Sequence, residues 1–128
     1  MQSKISLVTI WTDNMEPMKK FYNDVMGFDI INDMENYVEF KNEGVRFALC
    51  ERKVMAGFSD EYNDKVNGQR FELAFPCESI GDVDKSYAIL LDKGAIGVKS
   101  PQNMPWNQRT ALFKDPDGNI HELFCDLK

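Results

Sequence analysis

The sequence predicts an α+β fold: two βαβββ modules forming one curved mixed sheet, with helices outside and a ligand cup inside. Three observations carry this prediction. The chain states the same order twice, strand, helix, then three strands, once before residue 51 and again after residue 69. Each predicted helix has a single apolar face and stops at a glycine, Gly27 in the first half and Gly94 in the second. Neither half can bury both faces of its strands alone, so two halves side by side make a sheet with helices on its outer face and a concave inner one. Concave, partly polar cups are where small ligands bind.

The 128 residues fit one domain, with module one at about 3–51, a connecting loop at 52–68 and module two at about 69–126. A chain of this size buries roughly two-thirds of its unfolded surface, enough for a core without disulfides or metals to hold it together. The net charge of -6 argues against a nucleic-acid partner, because phosphate binding needs a basic face. The opening residues lack the apolar stretch of a signal peptide, and no run approaches the ~18 apolar residues of a membrane span. Cys50, Cys77 and Cys125 form no CxxC pair and no even framework, so they read as reduced thiols in the cytoplasm.

The elements follow in order. Ile5 to Trp11 is a β-rich run, with Trp11 expected in the core. Asp13 or Asn14 then caps a helix whose first turn holds Glu16 and Pro17, where an acid meets the positive end of the helix dipole and proline loses no hydrogen bond. Met15, Met18, Phe21, Tyr22, Val25 and Met26 recur at helical spacing as one buried face. Short strands follow at Asp29 to Asn32, Tyr37 to Lys41 and Val45 to Cys50, the last two joined by Asn42-Glu43-Gly44. Glu51 to Gly68 mixes charge with Met55, Phe58 and Tyr62 and reads as a loop, either a lid over the site or a plain linker.

In the second half, Gln69 to Pro76 reads as a strand. Ser79 starts a helix with Ile80, Val83, Tyr87, Leu90 and Leu91 on one face. Ile96 to Lys99 is a short strand, and Ser100 to Gln108 a loop containing Pro101, Pro105 and Trp106. Arg109 to Lys114 and Ile120 to Cys125 form a hairpin around Asp115-Pro116-Asp117-Gly118-Asn119, in which proline presets φ, glycine supplies positive φ and the Asx side chains bind local backbone. The hairpin places Glu122 mid-strand between Ile120 and Phe124. A charge there is costly without a partner, which makes Glu122 the first candidate for chemistry.

Three segments together resemble the vicinal oxygen chelate superfamily, the glyoxalase, bleomycin-resistance and ring-cleaving dioxygenase group. They are Val8-Thr9-Ile10-Trp11-Thr12-Asp13 with the later Phe21-Tyr22 and Gly27-Phe28, then Phe71-Glu72-Leu73-Ala74-Phe75 ahead of a helix ending Lys93-Gly94-Ala95, and Trp106-Asn107-Gln108-Arg109 leading to Asp115-Pro116-Asp117-Gly118-Asn119 and Glu122-Leu123. The resemblance spans nearly the whole chain. It implies paired βαβββ modules, often assembled as a homodimer. In metal-dependent members four cup-facing side chains hold a divalent ion. Matching by motif puts those positions at Ser6, near Ala48, at Glu72 and at Glu122. Two carboxylates and water would hold Mg²⁺ or Ca²⁺ only weakly, and none of the four positions offers an imidazole. The one histidine, His121, falls by strand alternation on the face opposite Glu122 and reads as a surface or supporting residue.

The expected cup-facing residues are Ser6, Val8 and Ile10, then Arg46, Ala48 and Cys50, then Glu72 and Ala74, then Ile120, Glu122 and Phe124. Three readings of the two carboxylates stay open: they bind a cationic ligand, they act as acid and base, or Arg46 or Arg109 pairs with them structurally. Trp106 beside the cup can stack on a planar or cationic group. The resulting expectation is a cofactor-free small-molecule-binding protein of the bleomycin-resistance kind, with Ser6, Arg46, Glu72, Trp106, Arg109 and Glu122 as candidate ligand-binding residues. The alternative is a glyoxalase-type lyase or isomerase using the carboxylates, with or without a divalent metal.

Overall fold

The computed structural model of the chain describes residues 1–64 and 68–128, so the end of the predicted connecting loop, at 65–67, lies outside the described residues. Two compact units, Met1–Val66 and Asn67–Lys128, each carry one four-stranded sheet.

The first unit contains β1 (Leu7–Thr12), α1 (Met15–Lys20) running into a π-helical turn (Phe21–Val25), β2 (Ile30–Asp33), β3 (Tyr37–Phe40) and β4 (Arg46–Glu51). Its sheet order is β1-β4-β3-β2, with β1 parallel to β4 and the rest antiparallel. Met15, Met18, Phe21 and Tyr22 are buried, as their helical spacing predicts. Tyr22 meets Phe47 edge-on at 5.2 Å, and Phe40 stacks on Phe47 at 5.5 Å, so the helix is pinned to the sheet by aromatic contact. Where the sequence reads as a loop, the connecting segment holds two helices: α2 (Arg52–Ala56) and a 3₁₀ turn (Asp60–Asn63) capped by Ser59.

The second unit contains β5 (Ala74–Pro76), α3 (Ile80–Asp92), β6 (Ile96–Met104), β7 (Gln108–Lys114) and β8 (Ile120–Asp126). Its order, β5-β8-β7-β6 with β5 parallel to β8, repeats that of the first unit. Both units are therefore βαβββ modules, and the α+β class holds. Ser79 caps α3 by accepting from Asp82 N, and Val83, Tyr87 and Leu90 are buried against β6, β7 and β8. Ile80 and Leu91 are more exposed than their spacing implies.

Two strands differ from expectation for identifiable reasons. β6 extends through Pro101 to Met104, because register shifts at Gly97/Lys99 and Lys99/Gln102 let the edge strand carry a residue with no N–H. The reading of Ser100 to Gln108 as one loop is thus corrected to a strand end and a tight turn. β5 is the opposite case. Only Ala74–Pro76 pairs as strand, while the chain before it is held to β8 largely by side chains. Gln69 binds both backbone groups of Ile120, Oε1 accepting from its N–H and Nε2 donating to its carbonyl, each at 2.6 Å. Leu73 N donates to His121 Nδ1 at 3.0 Å. One ladder bond remains, Glu122 N donating to Leu73 O at 3.0 Å, and these side chains satisfy the other backbone groups named.

Candidate functional site

Strand pairing assigns each side chain to a face. In the second sheet, Ala111, Phe113, His121 and Leu123 are buried on the α3 side. The opposite face carries Ala74, Ile120, Glu122 and Phe124, with Thr110 and Leu112 from β7. Glu122 therefore sits where the alternation predicts, opposite Ala74 on one side and Leu112 on the other. It is half-buried and Glu72 is exposed.

Burial holds the Glu122 carboxyl above the ordinary carboxylate value, and the nearby Glu72 charge raises it further. A carboxyl raised on folding binds more protons in the folded chain across the window between its two values. Its contribution to stability is full below the ordinary value near 4.5 and is lost as pH rises through the raised one. At neutral pH the ionised Glu122 opposes folding unless a cation meets it. Among the described residues neither Glu122 nor Glu72 has an ion-pair partner.

The two arginines that sequence reasoning offered as partners are engaged elsewhere. Arg109 lies on the α3 side of β7 and forks onto Asp84 of α3 at 2.7 and 3.1 Å. Its assignment to a ligand site is corrected: it ties the helix to the sheet. Arg46 forks onto Glu39 of β3 at 2.9 and 2.6 Å. That ion pair pushes the Glu39 carboxyl down and the Arg46 guanidinium up, with Tyr37 OH adding a longer contact to Glu39 at 3.4 Å. Structural pairing of either arginine with Glu72 or Glu122 is thereby set aside.

The first strand requires a second correction. β1 pairs Leu7 with Arg46, Thr9 with Ala48 and Trp11 with Cys50. The face shared with Arg46, Ala48 and Cys50 thus carries Leu7, Thr9 and Trp11, not Ser6, Val8 and Ile10. Ser6 precedes the strand, and its backbone carbonyl, accepting from Arg46 N at 2.9 Å, is its role in the fold. Trp11 is not core: it is 41% exposed, meets Tyr62 edge-on at 4.6 Å, and has the Arg52 guanidinium 6.0 Å from its ring. Composition alone misleads here, since Val8, Thr9, Ile10, Trp11 and Thr12 all favour strand on either face.

Trp106 stands in the turn Pro105 to Asn107, 59% exposed, where Asn107 adopts positive φ. That turn lies at the far end of β8, since Asn107 O accepts from Leu127 N. Four residues of strand separate Glu122 from Asp126, about 13 Å. Trp106 is therefore a separate end point of this sheet and not a neighbour of Glu122.

Sequence reasoning missed two polar residues. Glu39 is buried mid-strand in Tyr37-Val38-Glu39-Phe40, the same signal that singled out Glu122. Thr110 is buried with its hydroxyl unpaired among the described residues, on the Glu122 face beside Phe124. A threonine in a strand gives no sequence signal of this kind.

Taken sheet by sheet, the described donors are fewer than the metal ligand set that the resemblance implies. On the first sheet the face in question offers Leu7, Thr9 and Ala48, and its carboxylate, Glu39, is neutralised by Arg46. On the second sheet the Glu122 face offers Glu72, Glu122 and, two pairs further along β8, Asp126, which accepts from Gln108. Among the described residues no three His, Cys, Asp or Glu side chains are grouped as metal ligands. No helix among them is long and apolar enough to cross a membrane.

Comparison with known proteins gives a consistent picture. The family model described as the Glyoxalase/Bleomycin resistance protein/Dioxygenase superfamily matches residues 4–123. The uncharacterized protein YraH of Bacillus subtilis (strain 168) is 31% identical over 128 residues, which cover 94% of this chain and 97% of YraH. A crystal structure of a glyoxalase/bleomycin resistance protein/dioxygenase from Nocardioides superposes with a TM-score of 0.86 at 23% identity, covering 100% of this chain and 86% of that one. A lactoylglutathione lyase from Agrobacterium tumefaciens gives 0.72 at 17% identity, covering 96% and 93%. At such identities the structural likenesses show the fold alone.

Proposed function

The chain belongs to the glyoxalase/bleomycin resistance protein/dioxygenase superfamily, and from that premise we propose that it is a metal-independent small-molecule-binding protein with Glu122 as its ligand anchor. The observation that carries this reading is the Glu122 carboxyl: half-buried, raised by burial and by Glu72, and without a cationic partner among the described residues. A positively charged ligand group supplies the missing partner and relieves the repulsion. Thr110, with its buried unpaired hydroxyl on the same face, offers a second hydrogen bond. A ligand reaching from Glu122 toward the Trp106 end of β8 has to run along about 13 Å of strand to Asp126, so the chemistry recognised is a drug-sized molecule with a basic group at one end and a planar group at the other. The reading retains the homodimer and the cytoplasmic location that the sequence suggests.

A second reading rests on the same raised carboxyl. A carboxylate whose affinity for protons is raised is a better general base, suited to moving a proton next to a carbonyl, as a glyoxalase-type lyase or isomerase requires.

A thermal-shift experiment separates the two. Aminoacridine and benzamidine derivatives are tested against uncharged isosteres at up to 1 mM. A ligand at about 100 times its Kd stabilises by about 2.7 kcal/mol, a shift of several degrees in a chain of this size. The shift is expected for cationic planar compounds, to be lost in Glu122→Gln, to weaken in Trp106→Ala and to persist in Glu16→Gln on the exposed side of α1. A shift unchanged by Glu122→Gln would remove Glu122 as the anchor. Turnover of methylglyoxal hemithioacetal that Glu122→Gln abolishes would favour the enzyme.

A further inference from the structure

The second sheet carries a pair of cysteines that the ligand site does not use. The parallel register of β5 and β8 runs Ala74↔Glu122, Phe75↔Leu123, Pro76↔Phe124. Cys77 N still donates to Phe124 O at 2.8 Å, so the ladder has not diverged at that point. One step along the same register Cys77 stands opposite Cys125. Neighbouring strands lie about 4.8 Å apart, and residues joined by a disulfide have Cα atoms about 4.4–6.8 Å apart. Alternation puts both side chains on the same face, since Cys77 follows Phe75 and Cys125 follows Leu123 at intervals of two. Both cysteines are free and half-buried, whereas Cys50 is buried. The Cys77 thiol is raised by burial first and Asp82 next. Charge on Cys125 also raises it, which independently marks the two sulfurs as neighbours.

We propose that Cys77 and Cys125 are an oxidation site, closing to an intramolecular disulfide that staples β5 to β8. The oxidant is a low-molecular-weight disulfide. One cysteine thiolate attacks it, forming a mixed disulfide and releasing one thiol. The second cysteine thiolate attacks the protein sulfur of that mixed disulfide, forming the Cys77–Cys125 bond and releasing the second thiol. The two protons lost by the cysteines are balanced by those taken up by the two released thiolates, and the small disulfide is reduced as the protein is oxidised. The raised Cys77 thiol makes the reaction slow at neutral pH and faster as pH rises. The staple lies three residues beyond Ala74 and Glu122, so it also fixes the short edge strand beside Glu122.

The test exposes the folded protein to oxidised glutathione, blocks residual thiols by alkylation and digests with trypsin. The thiol count is expected to fall from three to one, with Cys50 alkylated and the peptides 71–85 and 115–128 recovered cross-linked. The melting temperature should rise by about 5 °C or more, and dithiothreitol should reverse both changes. Cys77→Ser should leave Cys125 as a glutathione adduct that never resolves. Separate adducts on Cys77 and Cys125 in the natural chain, or a bridge to Cys50 or to a second chain, overturn the proposal. So does a count of three at an oxidant level that fully oxidises the urea-unfolded chain.

Discussion

Replacing Asp115 with Ala is expected to lower the melting temperature by about 10 °C, corresponding to about 3 kcal/mol in a chain of this size. Asp115 is 1% exposed and organises the whole β7–β8 hairpin. Its Oδ1 accepts from Asp117 N and Asn119 N, both at 3.0 Å, and its Oδ2 accepts from Asn119 Nδ2 at 2.9 Å. Oδ2 also faces His121 Nε2 at 3.4 Å. Alanine leaves these part-buried donors without an acceptor in a turn built around them, and removes the buried carboxylate facing His121. Asp115→Asn keeps Oδ1 but turns an amide donor toward Asn119 Nδ2, so about half the loss is expected. Thermal unfolding followed by circular dichroism measures both. A loss below about 3 °C in Asp115→Ala would show that the turn is held by Pro116 and Gly118 alone.

The second large effect is expected at His121. Because Leu73 N donates to Nδ1, that nitrogen carries no proton, and the Nε2 proton points to Asp115. The imidazole takes the place of a strand carbonyl, linking the hairpin turn to the residues just ahead of β5. His121→Leu preserves volume, yet leaves the Leu73 N–H without its acceptor and removes the imidazole facing Asp115. The expected cost is about 2 kcal/mol, or about 6–8 °C in melting temperature. It should come with faster amide exchange at Leu73 and little change at β7. Unchanged exchange at Leu73 would mean that the Gln69 contacts to Ile120 suffice to hold this edge.

These two residues mark what a sequence can and does not disclose. In β4 the large apolar Phe47 and Leu49 alternate with Arg46 and the small Ala48, which marked its buried face, and in β8 the spacing of two between Ile120, Glu122 and Phe124 put Glu122 on the face opposite His121. The turn chemistry of Asp115 to Asn119 set the hairpin, because proline, glycine and Asx residues act locally. The face of β1 was illegible, since its residues suit either side. The short β5 was illegible too, because His121 and Gln69, distant in sequence, supply its missing hydrogen bonds. The partners of the arginines were beyond pattern reading for the same reason. Asp84 is 25 residues from Arg109 and becomes its partner only when α3 packs on β7. At the candidate site, Glu72 and Glu122 were legible as charges in strand context. That no cation among the described residues pairs with them was visible only once Arg46 and Arg109 were seen to be committed to Glu39 and Asp84.

The central claim is that Glu122 is a raised carboxyl with no cationic partner among the described residues, and so anchors a cation. Site-resolved titration of its side-chain carbon by ¹³C NMR tests this most directly. The midpoint is expected above the ordinary value near 4.5, to fall in Glu72→Gln, and to fall again when a cationic planar ligand is bound. A midpoint at or below the ordinary value in the ligand-free protein would contradict the claim.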